Sequence, residues 1–236
     1  MFKQRSSQPE LMDDLALEGA ALRKNLDELE LINKYLGGNE VVIGALENLY
    51  RQGLITQDKE ISIADLGCGG GDTLRAIARW AKRKKLNIKL IGIDANPFML
   101  DYAQEKATQY QTVIELKQIN IFSQSFENQQ YDIIICSLFC HHFSNEELIN
   151  LFSKIKKQIR IAFIVNDLHR HWFAYYSIKY ITKLFNGSYL VQNDAPLSVL
   201  RAFKKNELDL LLQKSGIQKY SLLWKWAFRY QIIAYC

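Results

Sequence analysis

Residues Ile61 to Asp72 read ISIADLGCGGGD, six positions of strand character running into four glycines before helix-forming sequence resumes. A short apolar run that turns directly into a helix is the signature of a buried strand in an α/β sheet. The glycines let backbone approach a ligand, and the helix that follows presents unpaired N–H groups to it. Two nucleotide-binding turns are excluded by spelling. No Lys-Ser/Thr follows the glycines, so this is not a phosphate-cradling P-loop. Counted from Gly67, Asp72 stands where the dinucleotide fingerprint needs its last glycine. What remains is Asp65-x-Gly67-x-Gly69-x-Gly71, and an acid beside the turn repels a pyrophosphate but suits an ammonium.

The rest of the chain alternates strand and helix signals. Apolar residues at helical spacing run from Leu15 to Leu36 and from Glu40 to Tyr50, ahead of the first strand. Then follow a helix over 72–84, a strand over 88–93, a helix over 97–109 with proline in its first turn, and strands over 113–118 and 131–136. A helix over 145–157 and a strand over 159–165 complete the run. The near-continuous apolar strands predict a parallel sheet covered on both faces. A helix over 204–215 and an alternating tail over 217–236 predict a closing antiparallel hairpin. The expected architecture is α/β: a Rossmann-like, doubly wound, mostly parallel sheet with helical cap elements. We expect an N-terminal helical lid over 1–55 and a main domain over 56–236, with a cap insertion at about 169–194.

Composition narrows the function classes. The 236 residues are 48% hydrophobic, enough for a full core. The net charge of +5 is dispersed except at Lys82–Lys85 and Lys154–Lys157, both near helix ends where cations meet the dipole, so no nucleic-acid surface is expected. Four cysteines without a paired framework suit a reducing compartment. The start MFKQRSSQPE has no apolar signal core and no apolar run reaches a membrane span, which predicts a cytoplasmic location without integral membrane association. The run Cys136-x-x-x-Cys140-His-His lacks the second ligand pair of a structural zinc site, and no metal is expected.

Asp94 ends the second strand about 20 residues after the last glycine, the place of a ribose-binding carboxylate in doubly wound folds. With the glycine motif Asp65–Gly71, Asp94 in GIDANPFML and the fourth-strand stretch YDIIICSLFCHHF, the chain resembles the class I S-adenosylmethionine-dependent methyltransferases. Its nearest likeness there is the small-molecule branch that includes the ubiquinone and menaquinone enzymes. The resemblance implies S-adenosylmethionine as cofactor and S-adenosylhomocysteine as product. It implies that Asp65, Gly67, Cys68, Gly69 and Gly71 lie along the amino-acid part of the cofactor, with Asp94 and Ala95 at the ribose. Asn120 and Ile121 would then lie at the adenine, where the family often has an acid in place of Asn120, and Ser137 and Leu138 near the methionine moiety.

All four histidines follow two adjacent strands, His141 and His142 after the fourth and His169 and His171 after the fifth. The carboxyl ends of such strands open on one crevice. Histidine has the pKa range of a general base, and we expect His169 in that role with Asp167 as orienting or second acid, His142 and His141 next. Trp172, Tyr175 and Tyr176 share a helical face in the cap and are expected to wall the substrate. The reading is methyl transfer to a small, apolar, aromatic acceptor, a phenolic oxygen of a polyketide- or quinone-like metabolite. Carbon methylation of a similar ring and a non-catalytic cofactor-binding or interaction protein are the alternatives.

Overall fold

A computed structural model describes residues 1–236. The strand signals become β1 (Ile61–Leu66), β2 (Ile88–Asp94), β3 (Glu115–Gln118), β4 (Tyr131–Ser137), β5 (Ile159–Leu168), β6 (Tyr220–Lys225) and β7 (Arg229–Tyr235). They form one sheet in the order β3-β2-β1-β4-β5-β7-β6. The first five are parallel; β7 runs antiparallel between β5 and β6. The order reverses between β1 and β4, which opens a crevice at their carboxyl ends.

Nine α-helices surround the sheet: α1 (Ala20–Tyr35), α2 (Gly38–Arg51), α3 (Asp72–Lys84), α4 (Pro97–Gln109), α5 (Gln124–Glu127), α6 (Asn145–Gln158), α7 (Trp172–Leu184), α8 (Tyr189–Arg201) and α9 (Lys205–Lys214). Successive strand residues face opposite sides. Leu66, Ile134, Cys136, Phe163 and Val165 pack with Leu148, Leu151 and Phe152 of α6 and Leu208 and Leu211 of α9. Ile63, Ile133, Ile135 and Ile164 pack on the other side with Leu46 and Leu49 of α2 and Leu74, Ile77 and Trp80 of α3. Both faces are dry, as the unbroken apolar strands require. No helix is long and apolar enough to cross a membrane.

Two expectations change in detail. Of the two helices assigned to a lid, α2 belongs to the sheet's own helical layer; α1 and the preceding segment cover the crevice instead. Residues Leu15 to Gly19 are not helical, and α1 starts only after Gly19 at φ 90°. The cap is longer than expected, because its second helix α8 runs on to Arg201 with Pro196 inside it, a residue that reads as a helix breaker. Asp194 of α8 pins the N-terminal segment: its two oxygens accept the backbone N–H groups of Leu11 and Met12 at 2.9 and 3.0 Å.

Candidate functional site

A cavity of about 710 Å³ occupies the crevice between the β-strand ends, α1, the N-terminal segment and the α7–α8 cap. The glycine turn forms its floor. It is fixed to β2 because the N–H groups of Gly67 and Cys68 both donate to the Ile93 carbonyl, at 2.8 and 3.1 Å. Gly69 has φ 48°, and a Cβ there would meet no protein atom within 4 Å, so its open side is the cavity itself. Gly67 is different: a Cβ would lie 2.1 Å from the ring of Phe139, which packs on the turn. Gly71 caps α3 at φ 71° and does not line the cavity, which corrects the expectation for that residue; its glycine serves the backbone turn.

Asp94 lines the cavity and locks the turn to β2. One oxygen accepts the Gly69 N–H at 3.0 Å and the other the Asn96 N–H at 3.0 Å, which leaves lone pairs on both for a ligand diol. Burial raises its pKa, and those two backbone donors pull against the shift. Asp65 is buried with one oxygen that has no hydrogen-bond partner. Burial, then the charges of Asp72 and Asp94, push its carboxyl well above the usual range. An orphaned acid of this kind at a cavity wall is the complement of an ammonium group. Arg229, at the start of β7, is also buried in the wall; Nη2 reaches Asn33 at 3.3 Å while Nε and Nη1 have no partner. Burial lowers its pKa to about 10, so it keeps its charge at neutral pH. Amine receptor, carboxylate receptor, diol receptor and bare turn fit the adenosyl-amino-acid cofactor as a set.

The far wall carries the other expected residues. Cys68, Ala95, Asn120, Ile121, Ser137 and Leu138 all line the cavity. The Asn120 Oδ1 already accepts from the Phe122 N–H at 2.9 Å and has one lone pair left. Ser137 Oγ accepts from Asn166 Nδ2 at 2.9 Å. Leu138 adopts φ 53°, a left-handed conformation unusual outside glycine, and its N–H donates to the Asn166 carbonyl at 2.8 Å. Burial pushes the Cys68 thiol well up, which makes it inert.

Three of the four histidines are committed to partners. His141, buried on a 3-10 turn over Cys140–His142, has Nδ1 2.7 Å from Asp167 Oδ1, and its own N–H donates to Asp167 Oδ2 at 3.1 Å. Burial works to raise the Asp167 pKa, but His141 beside it brings the net shift below the ordinary value. His142 Nδ1 lies 2.6 Å from Asp13 Oδ1. His171 caps α7 by accepting the Phe173 N–H at 3.2 Å and stacks on Phe228 at 4.9 Å. His169 alone lines the cavity with a buried Nδ1 that has no partner. Burial, then the positive neighbours His171, Arg170 and Lys204, lower its pKa and favour the neutral ring. The orienting role expected of Asp167 therefore falls on His141, because the carboxylate points toward the 3-10 turn after β4.

The methyltransferase domain family matches residues 63–161, the span from β1 into β5 that carries this turn, Asp94 and the β4 motif. Residues 63–161 form a methyltransferase domain, and the chain is an S-adenosylmethionine-dependent methyltransferase. Its cofactor is S-adenosylmethionine. The methyltransferase is 27% identical over 175 residues to the carboxy-S-adenosyl-L-methionine synthase of Wolinella succinogenes, covering 70% of this chain and 71% of that one. It is 28% identical over 116 residues to the ubiquinone biosynthesis O-methyltransferase of Bartonella tribocorum, covering 49% of this chain and 44% of that one. Among solved structures, the plantazolicin methyltransferase BpumL in complex with SAH superposes with a TM-score of 0.65 at 14% identity, over 92% of this chain and 99% of that one. That likeness is one of fold.

The cap of the methyltransferase presents a different face from the one expected. Phe173, Ala174, Ser177, Ile178 and Ile181 of α7 line the cavity. Trp172, Tyr175 and Tyr176 do not: Trp172 and Tyr176 are exposed, and Tyr175 packs edge-on against Phe2 at 5.7 Å. Both faces of α7 are apolar, so spacing identifies a stripe without saying which stripe turns inward. Glu10, Asp13 and Arg229 were missed because they come from segments distant in sequence and carry no local motif.

Proposed function

We propose that this methyltransferase transfers the methyl group to a hydroxyl oxygen of a small, largely apolar aromatic acceptor, a phenol of polyketide- or quinone-like chemistry, with His169 as the general base. The observation that carries the base assignment is the Nδ1 of His169, which has no partner, beside three histidines whose Nδ1 atoms are each engaged. Bound S-adenosylmethionine supplies a methyl on a positively charged sulfur. Asp94 holds the ribose, Asp65 the ammonium and Arg229 the carboxylate of the cofactor. Phe173, Ile178 and Ile181 exclude water from the acceptor, and a neutral imidazole removes its proton as the oxygen attacks. The Bartonella relative, named as an O-methyltransferase of ubiquinone biosynthesis, supports oxygen as the acceptor atom.

The test pairs binding with turnover. S-adenosylhomocysteine should bind wild type and His169→Gln with equal affinity, while methylation of a panel of phenols should fall by about 10²-fold or more in the variant. A His169→Gln enzyme within about threefold of wild type removes His169 from the mechanism.

A second reading is favoured by Arg229. Its two free donors could receive a carboxylate carried on the transferred carbon, and the Wolinella relative is named for making carboxy-S-adenosylmethionine. The mass of the nucleoside product after turnover separates the two readings.

A further inference from the structure

The cluster at the mouth of the 3-10 turn does more than orient histidines. Glu10 is buried, and while its Oε2 accepts from Ser198 Oγ at 2.8 Å, its Oε1 has no hydrogen-bond partner. That oxygen lies 3.7 Å from His141 Nε2 and 3.7 Å from Arg201 Nε, beyond hydrogen-bond reach of both. Arg201 Nε is not a hidden partner, because its single N–H donates to the His141 carbonyl at 3.1 Å. The two histidine rings stack at 4.3 Å. In each, Nδ1 lies within hydrogen-bond distance of a carboxylate, Asp167 for His141 and Asp13 for His142, so Nε2 is the nitrogen left to take a ligand. So at His141 the unengaged Nε2 faces an unpartnered carboxyl oxygen 3.7 Å away.

We propose that Glu10, His141 and His142 form a binding site for a divalent first-row transition ion at the wall of the acceptor cavity. One ligand atom from each of the three lies within 4.8 Å of the others. A tetrahedral ion with ligand bonds of about 2.1 Å needs separations of about 3.4 Å, so the site closes by a modest inward movement of the rings and the carboxylate. Two imidazoles and one carboxylate are a donor set for zinc, iron, cobalt or manganese. The carboxylate behind each imidazole is the outer-shell arrangement that fixes a metal-bound histidine and raises its basicity. The cysteines of the Cys-x-x-x-Cys-His-His run take no part, since Cys136 and Cys140 are buried in the sheet core.

Three protein ligands leave a tetrahedral ion one open position, and all three residues line the cavity. Resting on the O-methylation reading, the acceptor's hydroxyl oxygen would occupy it. The ion lowers the pKa of that hydroxyl, its proton passes to His169 and on to solvent, and the oxygen's electron pair takes the methyl as the carbon–sulfur bond breaks. The products are the methyl ether and neutral S-adenosylhomocysteine.

The experiment titrates chelator-stripped protein with Co²⁺ and Zn²⁺, with S-adenosylhomocysteine binding measured on the same samples. One ion per chain is expected, with cobalt absorption bands of a site bearing two imidazoles. Glu10→Gln and His142→Ala should each weaken the ion at least tenfold, and Asp13→Asn by about 10- to 100-fold through the supporting shell. All three should retain S-adenosylhomocysteine binding. Zinc X-ray absorption on wild type gives an independent count of imidazole ligands if a variant does not fold. Failure to bind an ion while S-adenosylhomocysteine binds normally overturns the metal site and leaves the methyltransferase reading intact. Ion binding that Glu10→Gln and His142→Ala do not change also overturns it. A normal metal site in a protein that methylates no hydroxyl would instead count against the acceptor chemistry alone.

Discussion

Replacing Asp94 by asparagine tests the cofactor site with a change of one atom. Each carboxylate oxygen accepts one backbone N–H, from Gly69 and from Asn96, both at 3.0 Å. An amide can offer its oxygen to only one of them, so whichever way it is set, its NH₂ faces the other N–H donor to donor. A hydrogen bond to a charged group contributes about 1.5–3 kcal/mol, and part of its loss is offset because burial already opposes charge on Asp94. The net destabilisation should be about 1–2 kcal/mol, a fall in Tm of roughly 2–8 °C for a chain of this size. The ribose loses one of its two charge-assisted bonds, which weakens S-adenosylhomocysteine by roughly 10- to 150-fold. Calorimetric titration of both proteins reads this directly, and the 2′-deoxy analogue of the ligand adds a control. If Asp94 holds the diol, the deoxy penalty seen in wild type should largely vanish in the variant. A variant affinity within threefold of wild type, or full additivity of the two losses, would refute the assignment of Asp94 to the ribose.

Asp65 gives a pH signature. Its carboxyl is raised in the folded chain, so its contribution to stability is present below the unfolded value and is lost as pH rises through the folded one. Asp65→Asn should therefore be at least as stable as wild type at neutral pH, by thermal melting, despite losing a buried acid. Binding of the cofactor's ammonium should ionise Asp65 and release a proton, so affinity rises with pH; calorimetry in buffers of different ionisation enthalpy should detect that proton in wild type and not in Asp65→Asn. On the cap, Ile178→Ala should raise the acceptor KM by roughly 5- to 30-fold, as expected for about 1–2 kcal/mol of lost apolar contact, while Trp172→Ala leaves it unchanged; equal effects would reverse the facing of α7. Gly67→Ala should destabilise the fold strongly by steric conflict with Phe139, by differential scanning calorimetry, whereas Gly69→Ala should cost mainly cofactor affinity and about 1–2 kcal/mol of backbone strain.

The sheet was legible because its logic is local. A strand buried on both faces must be apolar throughout, and a turn that admits a ligand must be glycine-rich, so β1, its turn and α3 are readable from twelve residues. Asp94 was legible by spacing, since the length of one strand–helix–strand unit is nearly fixed. Gly71 shows the limit of that reasoning: motif and conformation agree, yet the residue caps the helix start and does not line the cavity. α8 was hidden by Pro196, because a helix that gains its stability from packing can tolerate a residue that local propensity rejects.

What sequence could not reach is the company each histidine keeps. His169 and Asp167 are two residues apart in a strand that ends there, and alternation sends their side chains to the same face; nonetheless Asp167 reaches across to His141, because the 3-10 turn after β4 brings that ring and its backbone N–H within 3.1 Å of the carboxylate. The second half of the cluster arrives from still further away. Glu10 and Asp13 belong to a segment with no strand or long helix of its own, held down by Asp194 on one side and by Arg201 on the other. Only when α8 is in place does an acid from the chain's first turn meet two histidines from its middle. The Glu10–His141–His142 cluster is thus assembled by the cap, and the cap is the part of the molecule whose sequence speaks least clearly about its own fold.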